Sequence, residues 1–515
     1  MKVISKSRFK LGLECPNKLF YTGKEEYVNK KNDDPFLMAL ASGCFQVEEY
    51  AKMHYPGGEL VDGGYRTTSY EDYVALTNEL LTRENVVIYE AAFLVDDLYI
   101  RADILVKEGN NIKLIEVKSK SYDPNDENVF VGVRGGIDSK WKPYLFDIAF
   151  QKHVVEMCLP KAIVTPYLFL ADKTKIASVD GLNQMFRVTK RGDQRTRVEK
   201  INDDFSSMGD SVMFLKDMSQ VVRDIIEDKH KYYPNLGFHE AVKLFTRLYK
   251  NNEYANWPTE FSKCKKCEFK ASESDLINGK MSGFNECFKK LHNWSEEDFN
   301  KPNIFNVWDL KDPTLLERNL LFKEQLKPKD IKYKEVAGRL SRTERQWLQI
   351  EKEREGDFTE YVDIDGLRDE MKKWKFPLHF IDFETSTVAL PFYAGRKPYE
   401  QIAFQFSHHI YYEDGTVQHA HEYINVKPGE FPNFEFIAKL KEALSSDNGT
   451  IFKFAPHENT IVNAIYLQLK SSSEPNKEEL MEFIKLISHS TDKSPDVWEG
   501  DRDMVDLCNV IKHYY

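Results

Sequence analysis

The sequence predicts an α/β (α+β) protein, with mixed sheets flanked by helices in two folded regions and a charged helical connector between them. Three observations carry this. The stretch "IRADILVKEGNNIKLIEVKSK", residues 100–120, reads as a hairpin, and "YLFDIAFQKHVVEMCL" reads as a helix. From Phe376 onward the patterns run three antiparallel strands, helix, strand, helix, with the first helix near Phe434 to Leu444 and the second starting near Asn459. At 515 residues the chain has room for about three domains. Residues 1–300 hold the hairpin, mixed helices and a cysteine-rich end; 301–375 are charged and helical in pattern; 376–515 form the last region. With 41% hydrophobic and 30% charged residues the composition is that of a soluble globular protein, and no apolar run reaches the length of a membrane span. The start "MKVISKSRFKLGLEC" lacks a signal-peptide core, and seven cysteines is an odd number for a disulfide framework, so a reducing, cytoplasmic setting is expected. The net charge of −11 argues against a generally adhesive nucleic-acid binder while leaving room for a local basic groove.

The hairpin sets a register. Gly109-Asn110 suits a two-residue type I′ or II′ loop, so Glu108 faces Asn111, Lys107 faces Ile112, Leu105 faces Leu114, Asp103 faces Glu116 and Arg101 faces Lys118. Ile104, Val106, Ile115 and Val117 then occupy the opposite face. Two carboxylates meet across the ladder. Like charges placed opposite one another cost a few tenths to about 1 kcal/mol, and more when buried, so a cation between Asp103 and Glu116 is expected. Lys118 is one pleat away on the same face; Lys120 shares that parity near the strand end, where a phosphate-contacting or solvated role is expected.

Asp103, then Glu116-x-Lys118 on the neighbouring strand, resembles the core motif of the PD-(D/E)XK nucleases. Three further stretches resemble the RecB-like branch of that superfamily. "ISKSRFKLGLECPNKLFY" is similar to its serine-capped opening helix running into Cys-Pro. "ASGCFQVEEYAKMHYPGG" is similar to its first helix, with Glu49 as the additional metal ligand and Glu48 as the rival. "YLFDIAFQKHVV" is similar to the helix that follows the active site, bringing Gln151 and Tyr144. The resemblance spans residues 1 to about 290 and implies a restriction-endonuclease-like sheet. Its chemistry suits these residue types: Mg²⁺ or Mn²⁺ prefers carboxylate oxygens, here from Glu49, Asp103 and Glu116, and Lys118 orients the attacking water or stabilises charge on the phosphoryl group.

A second constellation is "CKKCEFKASESDLINGKMSGFNECFKKLHNW". Cys264-x2-Cys267 is a chelating turn and Cys287 follows after a loop. The fourth ligand is either His292, giving a structural Zn²⁺ site, or Cys15, giving four thiolates suited to a [4Fe-4S] cluster. RecB-like nucleases with an iron-sulfur staple use one N-terminal cysteine before proline and three C-terminal ones, so the resemblance implies Cys15. Cys44, Cys158 and Cys508 fall in apolar settings and read as core residues.

The third is "FIDFETS", where Asp382 and Glu384 share a strand face. Placed on the first strand of the order given above, Asp-x-Glu resembles the first motif of the RNase H-like DEDD exonucleases, and the stretch also resembles an uncharacterised domain found after RecB-like nucleases. Glu458 falls where such an enzyme places its second acid, and Asp506 lies in "DMVDL". No final Asp preceded by His or Tyr follows before Tyr515, so the C-terminal module is expected to be incomplete. Together the resemblances imply a Mg²⁺- or Mn²⁺-dependent deoxyribonuclease of exonuclease type, acting in DNA repair, recombination or defence against foreign DNA. DNA and other DNA-processing or defence proteins are its implied partners, with no membrane. The alternative is a scaffold built from nuclease folds that holds nucleic acid or a partner without cutting. The acidic balance and the lack of a basic recognition helix argue against a zinc-dependent transcription factor.

Overall fold

A computed structural model describes residues 2–31, 35–61, 69–190, 196–202 and 204–515, and it is a mixed α/β structure. The chain divides into two compact units, Met1–Asn300 with Val388–Tyr399, and Lys301–Thr387 with Glu400–Tyr515. No helix among the described residues is long and apolar enough to cross a membrane.

The first unit is built on β1 (Ile4–Ser5), β2 (Glu59–Leu60), β3 (Asn85–Val95), β4 (Leu98–Glu108), β5 (Asn111–Tyr122) and β6 (Ile163–Asp172). A separate pair, β7 (Phe186–Lys190) and β8 (Thr196–Lys200), precedes β9 (Met213–Asp217). The main sheet runs β2-β3-β4-β5-β6-β9, with β1 attached parallel to β4. Gly109 has φ +59° while Asn110 is absent from the positive-φ residues, the II′ alternative of the expected turn. The pairing Glu108↔Asn111, Lys107↔Ile112, Leu105↔Leu114 and Ile104↔Ile115 follows the expected register. It stops there, one step short of Asp103 and Glu116, so the predicted Arg101–Lys118 pair does not form.

Leu105, Ile112 and Leu114 pack on one side with helices Lys6–Glu14, Lys142–Cys158 and Phe238–Lys250, through Phe9, Phe150 and Phe245; the rings of Phe9 and Phe150 stack at 4.4 Å. Ile104, Val106, Ile115 and Val117 face the other way, toward Val47 and Tyr50 of helix Pro35–Met53. The opening helix begins at Ser5, whose extended backbone and hydroxyl cap it by accepting the Arg8 N–H at 3.3 Å, and it ends at extended Cys15. The serine cap therefore aims Lys6 and Lys10, four residues apart on one helix face, at the sheet.

The second unit has β10 (Leu378–Ser386), β11 (Ile402–Tyr411), β12 (Val417–Ile424), β13 (Ile451–Lys453) and β14 (Val505–Asp506), ordered β12-β11-β10-β13-β14. The first three are antiparallel neighbours, and β10, β13 and β14 are parallel. Helices Asn433–Leu444 and His457–Lys470 stand where the pattern put them. Of residues 301–375, expected to be a helical connector, 301–341 are mostly turns and single 3-10 turns with one short α-helix, Thr314–Glu317, and they bury Ile304, Leu315, Leu321 and Leu326. Helices Arg342–Glu355 and Ile364–Met371 follow.

A row of imidazoles crosses this sheet. Asp447 Oδ1 lies 2.8 Å from His379 Nε2, His379 Nδ1 lies 2.9 Å from His408 Nε2, and His408 Nδ1 lies 3.1 Å from His421 Nδ1. With Nε2–H of His379 donating to Asp447, its Nδ1 accepts from His408, whose Nδ1 in turn accepts from His421. His408 is fully buried, and burial followed by the neighbouring His379 and His421 pushes its pKa down to about 4. The folded state therefore binds fewer protons at this ring than the unfolded chain. Its stability is fully present above the ordinary histidine value and is lost as pH falls from about 6.5 toward 4. Calorimetry is expected to show the second unit losing roughly 2–3 kcal/mol over that range, with a shallower slope in His408→Leu.

Candidate active site

The carboxylates expected to hold a cation do converge. Asp103 is 6% exposed and Glu116 fully buried. The ladder is opened on both sides of Asp103. Toward β3 the pairing jumps from Tyr89↔Ile104 to Ala91↔Ala102, passing over Glu90, which has φ +57°. Toward β5, where pairing has ended, Asp103 Oδ2 accepts the Val117 N–H at 2.8 Å in place of a backbone carbonyl. The Asp103 carboxylate thus replaces part of the ladder it interrupts, leaving Oδ1 to face Glu116.

The cation between them is an ammonium. Lys6 Nζ lies 3.0 Å from Asp103 Oδ1 and 3.2 Å from each Glu116 oxygen. Lys118 donates to Glu116 Oε1, and Gln151 Nε2 donates to Glu116 Oε2 at 2.8 Å. Burial opposes the charge on Glu116, yet Lys118 and Lys6 hold its carboxyl well below the usual carboxylate range. Burial likewise opposes the charges on Lys6 and Lys118, and the facing carboxylates hold both pKa values above the ordinary lysine value.

Behind Gln151, one helical turn back, buried Asp147 pairs with Lys10 at 3.1 Å, and burial, then Glu116, raises its pKa. Lys6, Lys10 and Asp147 were missed in the sequence. The one signal available was the i, i+4 lysine pair in "SKSRFK" beside the serine cap.

The two glutamates of helix Pro35–Met53 separate. Glu48 faces the centre: burial, then Asp103 and Glu90, push its pKa up to about 8. Glu49, the expected ligand, pairs with Lys52 at 2.6 Å and lines a cavity of about 560 Å³ with Tyr89, Lys200 and Asp204. Adjacent helix positions point about 100° apart, so one of the pair had to turn away. Tyr144 does not join the carboxylates; its ring lies 5.0 Å from Lys120 Nζ, which also lies 4.8 Å from the Trp141 ring and donates to the Lys140 carbonyl at 3.0 Å.

Among the described residues no group of three or more His, Cys, Asp or Glu side chains forms a ready-made ion site. The donor chemistry nonetheless suits a hard divalent ion. Three carboxylate oxygens already surround one positively charged atom, and Gln151 Oε1 is a buried acceptor with no hydrogen-bond partner among the described atoms.

Cys15, Cys264, Cys267 and Cys287 line one cavity, together with Lys18, Tyr21, Phe284 and Phe288. Helix Phe261–Lys265 carries Cys264, helix Gly283–His292 carries Cys287, and Cys15 ends the opening helix. All seven cysteines are free. Burial raises the thiols of all four, Cys15 to about 11 and Cys267 to about 12, and neighbouring thiols add to the effect at Cys15 and Cys264. His292 is not in this wall; its Nε2 lies 2.8 Å from Thr259 Oγ1. The soft donor set fits a thiolate-bound metal or cluster, whose loading would release protons.

In the second unit Asp382 and Glu384 are exposed on one face of β10. Glu458, at the start of helix His457–Lys470, is buried with Oε2 lacking a hydrogen-bond partner among the described atoms. Burial, then Asp382 and Asp506, raise its pKa, while Lys453 opposes them. Asp506 caps helix Leu507–Tyr514, accepts from Ala455 N at 3.0 Å and lies 3.5 Å from Lys453. Asp382 and Asp506 thus both act on Glu458, and buried Lys453 opposes them.

A family profile described as a domain of unknown function (DUF2779) matches residues 379–515. Comparison with curated proteins and with solved structures gives no match. The profile covers β10 through the last helix and therefore all four second-unit acids, whereas the Asp103 centre and the thiol cavity lie outside it.

Proposed function

We propose that the first unit is a Mg²⁺- or Mn²⁺-dependent nuclease of the RecB-like PD-(D/E)XK type that hydrolyses DNA phosphodiesters. The observation that carries this reading is the convergence of Asp103 Oδ1 and both Glu116 oxygens on one cationic atom, with Lys118 on Glu116. A bound ion would supply Lewis acidity and a water of lowered pKa. Asp103 and Glu116 would hold it, with Glu48 in the place first given to Glu49. Gln151 fixes one Glu116 oxygen and Lys118 the other, so the carboxylate cannot rotate; the Lys118 ammonium is then placed to orient water or offset charge growing on phosphate. The four thiols would hold a [4Fe-4S] cluster as a structural staple. DNA repair, recombination or defence would employ such an enzyme, with the second unit as a nuclease-like module for nucleic acid.

Digestion of end-labelled linear and circular DNA, alongside RNA, with Mn²⁺ and with chelator tests this reading. Metal-dependent loss of linear DNA supports it, and intact substrates under all metal conditions count against it. The same assay separates the neighbouring glutamates. Glu48→Gln is expected to slow cleavage by about 10²-fold, and Glu49→Gln to leave the initial rate within about threefold; the reverse order would restore Glu49 as the ligand.

A further inference from the structure

Lys6 places its Nζ among the three carboxylate oxygens that would hold a divalent ion. Its backbone is fixed on both sides, by the Ile4↔Leu98 and Ser5↔Tyr99 pairing and by the Ser5 cap, so its side chain enters the centre from a rigid start. The side chain is 23% exposed, which leaves it a path toward solvent. In the inner shell the charges balance: Asp103, Glu116 and Asp147 face Lys6, Lys118 and Lys10. Outside it, Glu90 pairs with Arg101 at 3.3 Å and Glu49 with Lys52 at 2.6 Å. A divalent ion on the same oxygens would leave the inner shell with two excess positive charges, and withdrawal of one ammonium would halve that excess. Lys10 is bound to Asp147 and Lys118 to Glu116, whereas Lys6 contacts both carboxylates that would hold the ion. Two cations in contact with the same three oxygens would repel strongly in so buried a place.

We propose that Lys6 is a tethered competitor for the divalent-ion seat: it clasps Asp103 and Glu116 together until an ion displaces it, and so sets the ion concentration at which the centre fills. This rests on the reading of the centre as a metal seat. The clasp also explains how two buried carboxylates are held face to face without repelling one another apart.

Mn²⁺ titration of the full chain, followed by electron paramagnetic resonance, tests this in wild type, Lys6→Met, Lys6→Arg and Asp103→Asn. Lys6→Met is expected to bind Mn²⁺ at least about tenfold more tightly than wild type, Lys6→Arg no more tightly, and Asp103→Asn to lose the site. Equal or weaker binding by Lys6→Met, with the site still lost in Asp103→Asn, overturns the competitor role and leaves the metal seat standing. Binding by neither wild type nor Lys6→Met overturns both. If Lys6→Met is unfolded without metal, recovery of its melting transition on adding Mn²⁺ supports the proposal and failure to recover overturns it.

Discussion

Asp103→Asn and Lys118→Met are each expected to lower Mn²⁺-dependent DNA cleavage by at least about 10³-fold, equivalent to roughly 4 kcal/mol of transition-state stabilisation, while the first unit keeps its melting temperature to within a few degrees. The choice of asparagine matters. Asp103 Oδ2 accepts the buried Val117 N–H, a bond that an amide oxygen preserves and that alanine would leave unmade at a cost of about 1–3 kcal/mol. Asparagine removes the negative charge and turns the oxygen that accepts from Lys6 into an amide nitrogen, while Glu116 still pairs with Lys6. The Lys118→Met change keeps the apolar stem of the side chain and removes the ammonium, while Lys6 and Gln151 still hold Glu116. Initial rates on labelled DNA, together with circular dichroism of each variant, check both halves of the prediction. Unchanged cleavage in either would remove that residue from the site.

Losing the thiol cluster is expected to have the largest effect on stability. A cluster on Cys15, Cys264, Cys267 and Cys287 would tie the end of the opening helix to a segment about 250 residues later, closing a loop around nearly the whole first unit. By the chain-entropy argument used for disulfides, such a closure contributes up to about 5 kcal/mol. Cys15→Ala is therefore expected to lower the melting temperature of the first unit by ten degrees or more and to remove iron and inorganic sulfide from anaerobically purified protein. His292→Ala is expected to do neither. A colourless protein holding one zinc that His292→Ala releases would instead favour the three-cysteine, one-histidine site. Because burial keeps the thiols protonated in the absence of metal, loading is expected to weaken as pH falls.

How much of this was legible in the sequence depended on whether a local rule reached the residue. The facing of Asp103 and Glu116 was readable because a two-residue turn lies five residues from each and the side-chain period of a strand is two. The carboxylates share a face, but the ladder stops before joining them, since pairing rules do not foresee Asp103 taking the Val117 N–H for itself. Glu48 and Glu49 were indistinguishable because the difference is a rotation of one helix about its axis, decided by how Val47 and Tyr50 pack on the sheet. Lys6 was beyond local reading: its partners lie 97 and 110 residues away. Cys15 was within reach only through the resemblance, as nothing local connects it to Cys264. Of the stretch 301–375 read as helical from its charge pattern, Arg342–Glu355 and Ile364–Met371 are helices whereas 301–341 are mostly turns and 3-10 turns, a difference that charged composition does not encode.

The most direct measurement is anomalous scattering from crystals of the protein soaked in Mn²⁺, recorded at the manganese edge. The account predicts a peak between Asp103 and Glu116, at the point Lys6 Nζ holds here, with Lys6 moved away. Manganese absent from that point, with Lys6 still bridging the two carboxylates, would contradict it.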